Sequence, residues 1–115
     1  MPSMLAKDLI AASARPLILS VLTEGESYGY ALARRVRELS AEQIDWADGM
    51  LYPVLRRLEG EGLIASEWRK EDNGRERRYY KLTQDGRRAL KAEKAQWLAV
   101  HNTLSQLWKL QPVSI

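Results

Sequence analysis

The chain has 115 residues, 45% of them hydrophobic, and a formal net charge of +3. That is enough for one domain with its own core, and it argues against overall disorder. With no cysteine and a single histidine, His101, disulfides, thiolate metal sites and histidine clusters are excluded.

No apolar run is long enough to span a bilayer, and the start Met-Pro-Ser-Met-Leu-Ala-Lys-Asp lacks the pattern of a secretory signal. The expectation is a cytoplasmic protein with no membrane partner and no cofactor. The sequence pI of about 9.3 is mildly basic, but the charge is unevenly spread. Between Met50 and Lys91 eleven basic residues stand against seven acids, a surplus of four, which leaves the rest at −1. Such an asymmetry fits the footprint of a polyanion, although a solvated surface also carries many charges.

The first apolar segment spans Leu5 to Leu22, with Leu17, Ile18, Val21 and Leu22 at helical spacing. Pro16 predicts a kink there or a separate short N-terminal helix. Ser27 is a good N-cap for a helix over Tyr28–Leu39, whose buried face is Tyr28, Leu32, Val36 and Leu39. The connector Ser40–Trp46 has room for a very short strand through Ile44 and Trp46.

Asp48 then caps a third helix, Gly49–Gly60, with Leu51, Val54, Leu55 and Leu58 on its buried face. Pro53 falls within its first turns, where a missing N–H is best tolerated. The other face carries Gly49, Tyr52, Pro53 and Arg56, with Arg57 at its border. These are residues suited to phosphates and base edges. Arg57 has a second reading, as an ion-pair partner of Glu61 four residues on. Tyr52 has one too, as an anchor for the helix start.

Gly60 and Gly62 end this helix, and strand-like alternation follows. Ile64, Ser66 and Trp68 share one side of the first strand. Asp72-Asn73-Gly74 is a reverse-turn signal. The return strand Arg77–Leu82 puts Arg78, Tyr80 and Leu82 on one side and Arg77, Tyr79 and Lys81 on the other. Lys70, Arg75, Arg77 and Arg78 would grip a minor groove or its phosphates. Glu71, Asp72 and Glu76 weaken the local field, which favours positioning over sequence reading. For Arg78 an inward, structural role stands beside the DNA role. Tyr80 reads as core, and Tyr79 stays open as a phosphate hydroxyl.

Thr83 caps a last helix running roughly to Leu110, with Asp85 near its positive end. Leu90, Glu93, Trp97, Val100, Leu104 and Leu107 fit a heptad seam, so this helix calls for a partner. His101 and Trp108 flank the seam, Leu98 and Leu110 add apolar surface, and Gln111–Ile115 read as a frayed tail. Trp97 and Trp108 either fill a dimer core or sandwich a planar apolar or cationic compound, with His101 one turn beyond Trp97.

The fold class is therefore mainly α with a small β-hairpin: a winged helix-turn-helix over residues 1–83 and a dimerisation helix over 84–115. Nothing converges as a catalytic site, since the acids are scattered beside basic partners. A winged-helix module that binds protein rather than DNA is the rival reading; the basic surplus argues for double-stranded DNA.

Tyr28-Gly-Tyr-Ala-Leu32, Gly49-Met-Leu-Tyr-Pro-Val-Leu-Arg-Arg-Leu-Glu59, Gly62-Leu-Ile64 and Arg78-Tyr-Tyr-Lys-Leu-Thr83 together resemble the PadR family of bacterial transcriptional regulators. The single C-terminal helix resembles its smaller subfamily, and the resemblance covers about Leu17 to Leu110. Met50 departs from it, standing where the family more often has a small polar residue. The resemblance implies a dimeric repressor joined through its C-terminal helices and released by a small effector bound at or near that interface. Members of the family control efflux transporters, phenolic-acid detoxification or permeases.

Overall fold

The computed structural model describes residues 5–109. Its elements are helix α1 (Lys7–Val21), strand β1 (Ser27–Tyr28), helices α2 (Gly29–Leu39) and α3 (Asp48–Gly60), strands β2 (Ile64–Lys70) and β3 (Glu76–Leu82), and helix α4 (Gln84–Leu107). The three strands form one antiparallel sheet in the order β1-β3-β2.

The core lies where α1, α2 and α3 meet the inner part of this sheet. Ile18 and Leu19 of α1, Leu32 and Val36 of α2, Leu51, Leu55 and Leu58 of α3, and Ile64 of β2 are all almost fully buried. The α2 and α3 sets recur every three or four residues, so burying one stripe of each helix helps exclude water from the centre. Val54 packs at the edge of this core, and so does Met50. The residue that departs from the family pattern thus supports the helix from beneath.

Several local expectations are corrected. α1 is one helix, from Lys7 to Val21, that runs through Pro16, so among the described residues Pro16 does not divide it from a separate N-terminal helix. Ser27 does not cap α2: it pairs with Tyr80 in the sheet, Tyr28 takes the cap position, and Gly29 is the first helical residue. The third strand is therefore Ser27–Tyr28, and no strand forms through Ile44 and Trp46. That connector instead turns through two left-handed residues, Ala41 and Glu42, at φ 52° and 68°. Trp46 is nonetheless buried in the core, held there by packing rather than by strand pairing. Leu39 is 60% exposed at the end of α2.

In α3 the cap position belongs to Ala47, and Asp48 occupies the first turn, where its carboxylate faces the positive end of the helix dipole. Pro53 lies deeper than the initial turn. It removes the donor that would reach the carbonyl of Gly49, on the exposed face.

The start of α4 is locked to the turn between α3 and β2. The Thr83 hydroxyl accepts from the Gly86 amide at 3.0 Å and donates to the Gly62 carbonyl at 2.6 Å, while the Thr83 amide reaches the Leu63 carbonyl. Gly86 is required here, because a Cβ would lie 2.0 Å from the Leu63 carbonyl oxygen.

Further along, α4 packs against α1. Arg15 of α1 makes a bidentate pair with Glu61, two bonds of 2.9 Å, and its Nε reaches Glu93 at 3.2 Å. The expected Arg57–Glu61 pair is therefore not formed. Glu93 and Leu90 turn towards the chain's own core and leave the heptad seam. α4 ends at Leu107 with Trp108 at the cap; Leu110 and the tail Gln111–Ile115 lie outside the described residues.

Candidate nucleic-acid interface

Burying Leu51, Leu55 and Leu58 forces the opposite stripe of α3 outward. Tyr52, Pro53, Arg56 and Arg57 all lie on that exposed surface. Tyr52 is 36% exposed, and its ring also packs over the start of α2, where a Cβ on Gly29 would lie 2.6 Å from the Tyr52 hydroxyl. It anchors the helix start and presents a phenol edge at the same time.

β2 and β3 pair with Ser66 opposite Tyr80 and Trp68 opposite Arg78, so the two sides expected from alternation, Ile64-Ser66-Trp68 and Arg78-Tyr80-Leu82, share one face. The face they share begins in the core at Ile64, Leu82 and Tyr80 and ends exposed at Trp68 and Arg78. The Asp72-Asn73-Gly74 turn forms the tip, with Gly74 at φ 83° and the Asn73 side chain accepting from the Arg75 amide. The wing is thus a paired ribbon whose outer half projects beyond the core.

Ion pairing divides the basic side chains into two groups. Among the described residues Arg56, Arg57, Lys70 and Arg75 meet no carboxylate within salt-bridge distance, while Arg69, Arg77 and Arg78 each do. Arg78 donates to the Ser66 hydroxyl at 2.8 Å and to Glu59 at 3.2 Å, and Ser66 donates to Glu59 in turn. This network ties the wing to the far end of α3, so Arg78 has a structural attachment even though its side chain is 42% exposed.

Arg77 lies over the Tyr28 ring at 4.3 Å, with Glu71 beside it. The Nε of Arg77 is buried without a hydrogen-bond acceptor. Arg69, which sequence reasoning did not place in the site, is held by Glu26 and Glu67, and these bonds raise its pKa further. Tyr79 donates its hydroxyl to Glu71 at 2.6 Å, which pushes the phenol pKa up. That donor is thus already engaged. Tyr80 is buried, and burial raises its pKa as well.

Between α3, the start of α2 and the wing lies an open cleft of about 670 Å³. Arg56 and Tyr52 of α3 line it together with Trp68, Arg75, Glu76 and Arg78 of the wing, and Tyr30 of α2 contributes as well. Sequence reasoning left Tyr30 and Trp68 out of the site. Their signal was present: strand alternation put Trp68 on the same side as Ser66, and Tyr30 lies off the buried face of α2.

Trp97, Val100, Leu104 and Leu107, the rest of the seam, are 39%, 57%, 36% and 73% exposed, and Trp108 is 63% exposed. His101 lies exposed on the same helix. These residues form an apolar surface that one copy of the chain leaves in water. Among the described residues no three acidic or histidine side chains converge as metal ligands, and no helix is long and apolar enough to cross a membrane.

The pattern of the transcriptional regulator PadR-like family matches residues 18–92, from the end of α1 into α4. The chain belongs to the PadR-like family. Among its relatives is a transcriptional regulator of Mycobacterium tuberculosis, 41% identical over 84 residues, which are 73% of this chain and 75% of that protein.

A transcriptional regulator from Clostridium thermocellum superposes with a TM-score of 0.81 at 29% identity, covering 90% of this chain and 97% of that one. A PadR family regulator from Eggerthella lenta does so at 0.73 and 36% identity, covering 90% and 88%. The fold is thus the winged helix-turn-helix of this family with a long C-terminal helix. The family is one of DNA-binding transcriptional regulators, not of enzymes.

Proposed function

We propose that this PadR-like regulator is a cytoplasmic homodimeric repressor of double-stranded operator DNA. The observation that carries the reading is the segregation of cations: Arg56 and Arg57 on α3 and Lys70 and Arg75 on the wing are exposed and unpaired. A guanidinium without a carboxylate partner is free to donate to a phosphate or a base edge. In this reading residues 1–83 contact DNA and 84–115 dimerise, bringing two α3 helices to successive major grooves of a pseudo-palindromic site.

The exposed stripe Trp97, Val100, Leu104 and Leu107 supports dimerisation, because an apolar surface of this kind favours burial against a second copy. Trp97, His101 and Trp108 would then line a site for a small planar, apolar or cationic effector. Its binding would alter the angle between the two winged domains, and half-site spacing would no longer match.

The test is fluorescence anisotropy with labelled DNA from upstream of the chain's own gene against a scrambled duplex, at ~150 mM salt, where purely electrostatic binding is weak. Tighter binding to the upstream DNA is expected. Absence of binding to either duplex would sink the DNA reading and favour a protein-binding module.

A further inference from the structure

The cleft between α3 and the wing holds more aromatic surface than the contact of arginines with base edges requires. Trp68 stands where β2 leaves the core, 62% exposed. An indole so placed contributes little to the packing of the free protein. It is nevertheless held in place: the Arg78 guanidinium lies over its ring at 5.7 Å, and Arg78 is itself fixed by Glu59 and Ser66. The unpaired Arg56, on α3, and Arg75, on the wing, line the same cleft, in which Glu76 is the one acid against four arginines. An anchored aromatic face that shares a cleft with two free cations suits an occupant with an apolar surface flanked by negative charges.

We propose that this cleft seats the sugar–phosphate backbone of one DNA strand, with Trp68 packed on a deoxyribose and Arg56 and Arg75 on the phosphates to either side. The proposal rests on the DNA reading above and adds a positioning contact to it. If α3 enters the major groove and the wing the adjoining minor groove, the strand dividing the two grooves must pass between them. The open cleft of about 670 Å³ lies at that crossing. Deoxyribose is common to every sequence, so Trp68 sets register and affinity without reading bases.

The experiment titrates the full-length chain into a labelled random-sequence duplex of ~30 base pairs between ~50 and ~200 mM KCl, so that no operator need be known. Trp68→Ala is expected to weaken binding about tenfold at each salt concentration with the salt slope unchanged, as loss of an apolar contact requires. Arg75→Ala lowers the slope by about one. Trp68→Phe, which keeps an aromatic face, recovers most of the affinity and guards against a folding defect.

Acrylamide quenching supplies a readout that a structural role would not move. DNA should shield tryptophan fluorescence in the natural chain, and that shielding should shrink in Trp68→Phe. Undiminished affinity in Trp68→Ala, or shielding identical in Trp68→Phe, would overturn the proposal while leaving DNA binding intact. Failure of the natural chain to bind any duplex would instead bring down the underlying reading.

Discussion

Arg56 and Arg78 are both exposed arginines on the side of the molecule assigned to DNA, yet their surroundings differ. Arg56 meets no carboxylate, whereas Arg78 is held by Glu59 and Ser66. Arg56→Ala is therefore expected to cost roughly 1–3 kcal/mol of operator binding if the residue reads a base. Parallel titrations on operator and random duplexes check this, and equal losses on both would reassign Arg56 to a phosphate. Gly86 carries a different constraint. A Cβ there would meet the Leu63 carbonyl at 2.0 Å and Leu82 Cδ1 at 2.7 Å. Gly86→Ala must push α4 off the α3–β2 turn, and a loss of roughly 1–3 kcal/mol in denaturant unfolding is expected, as for overpacking elsewhere.

At the scale of elements, α4 has two regions with different partners. Its first half belongs to the chain's own core through Gly86, Leu90 and Glu93, while Trp97, Val100, Leu104 and Leu107 face outward. Leu104→Glu is expected to convert a dimer into a monomer in sedimentation, with helix content retained. A dimer that survives this change would place the interface elsewhere. Trp97→Ala should remove effector binding and leave operator binding near normal; dissociation of the dimer would make Trp97 a packing residue instead.

The Arg15 bridge joins α1, the end of α3 and α4, and it makes stability depend on acid. Its hydrogen bonds hold the Glu61 carboxyl below the usual carboxylate range. A lowered folded-state pKa contributes stability above the unfolded value, and that contribution is lost as pH falls through the folded value. The Tm should thus be flat from neutrality to about pH 5 and fall below about pH 4. Glu61→Gln should lower Tm at pH 7 and shrink that fall. Glu61 is partly solvated, so the effect is modest, and the lowered Glu24 and Glu67 retain their share.

Over the whole molecule, the winged helix-turn-helix order, most of the buried stripe on each of the three helices, the shared sides of β2 and β3 and the Asp72-Asn73-Gly74 turn were legible in the sequence. Each depends on local periodicity or turn chemistry, which acts over a few residues. Some errors were local, such as the cap at Ala47 instead of Asp48 and the exposed Leu39; the larger ones involve partners distant along the chain. Ser27 pairs with Tyr80 and so joins the sheet instead of capping α2. Glu61 binds Arg15, 46 residues away, rather than the nearby Arg57, and Glu93 binds the same arginine from 78 residues away. Spacing on one helix cannot rank a close neighbour against a residue brought alongside by folding. The same limit applied to the arginines of the wing: the sequence established that they are concentrated there, but only the tertiary structure, by supplying or withholding carboxylates, separated the free cations from the paired ones.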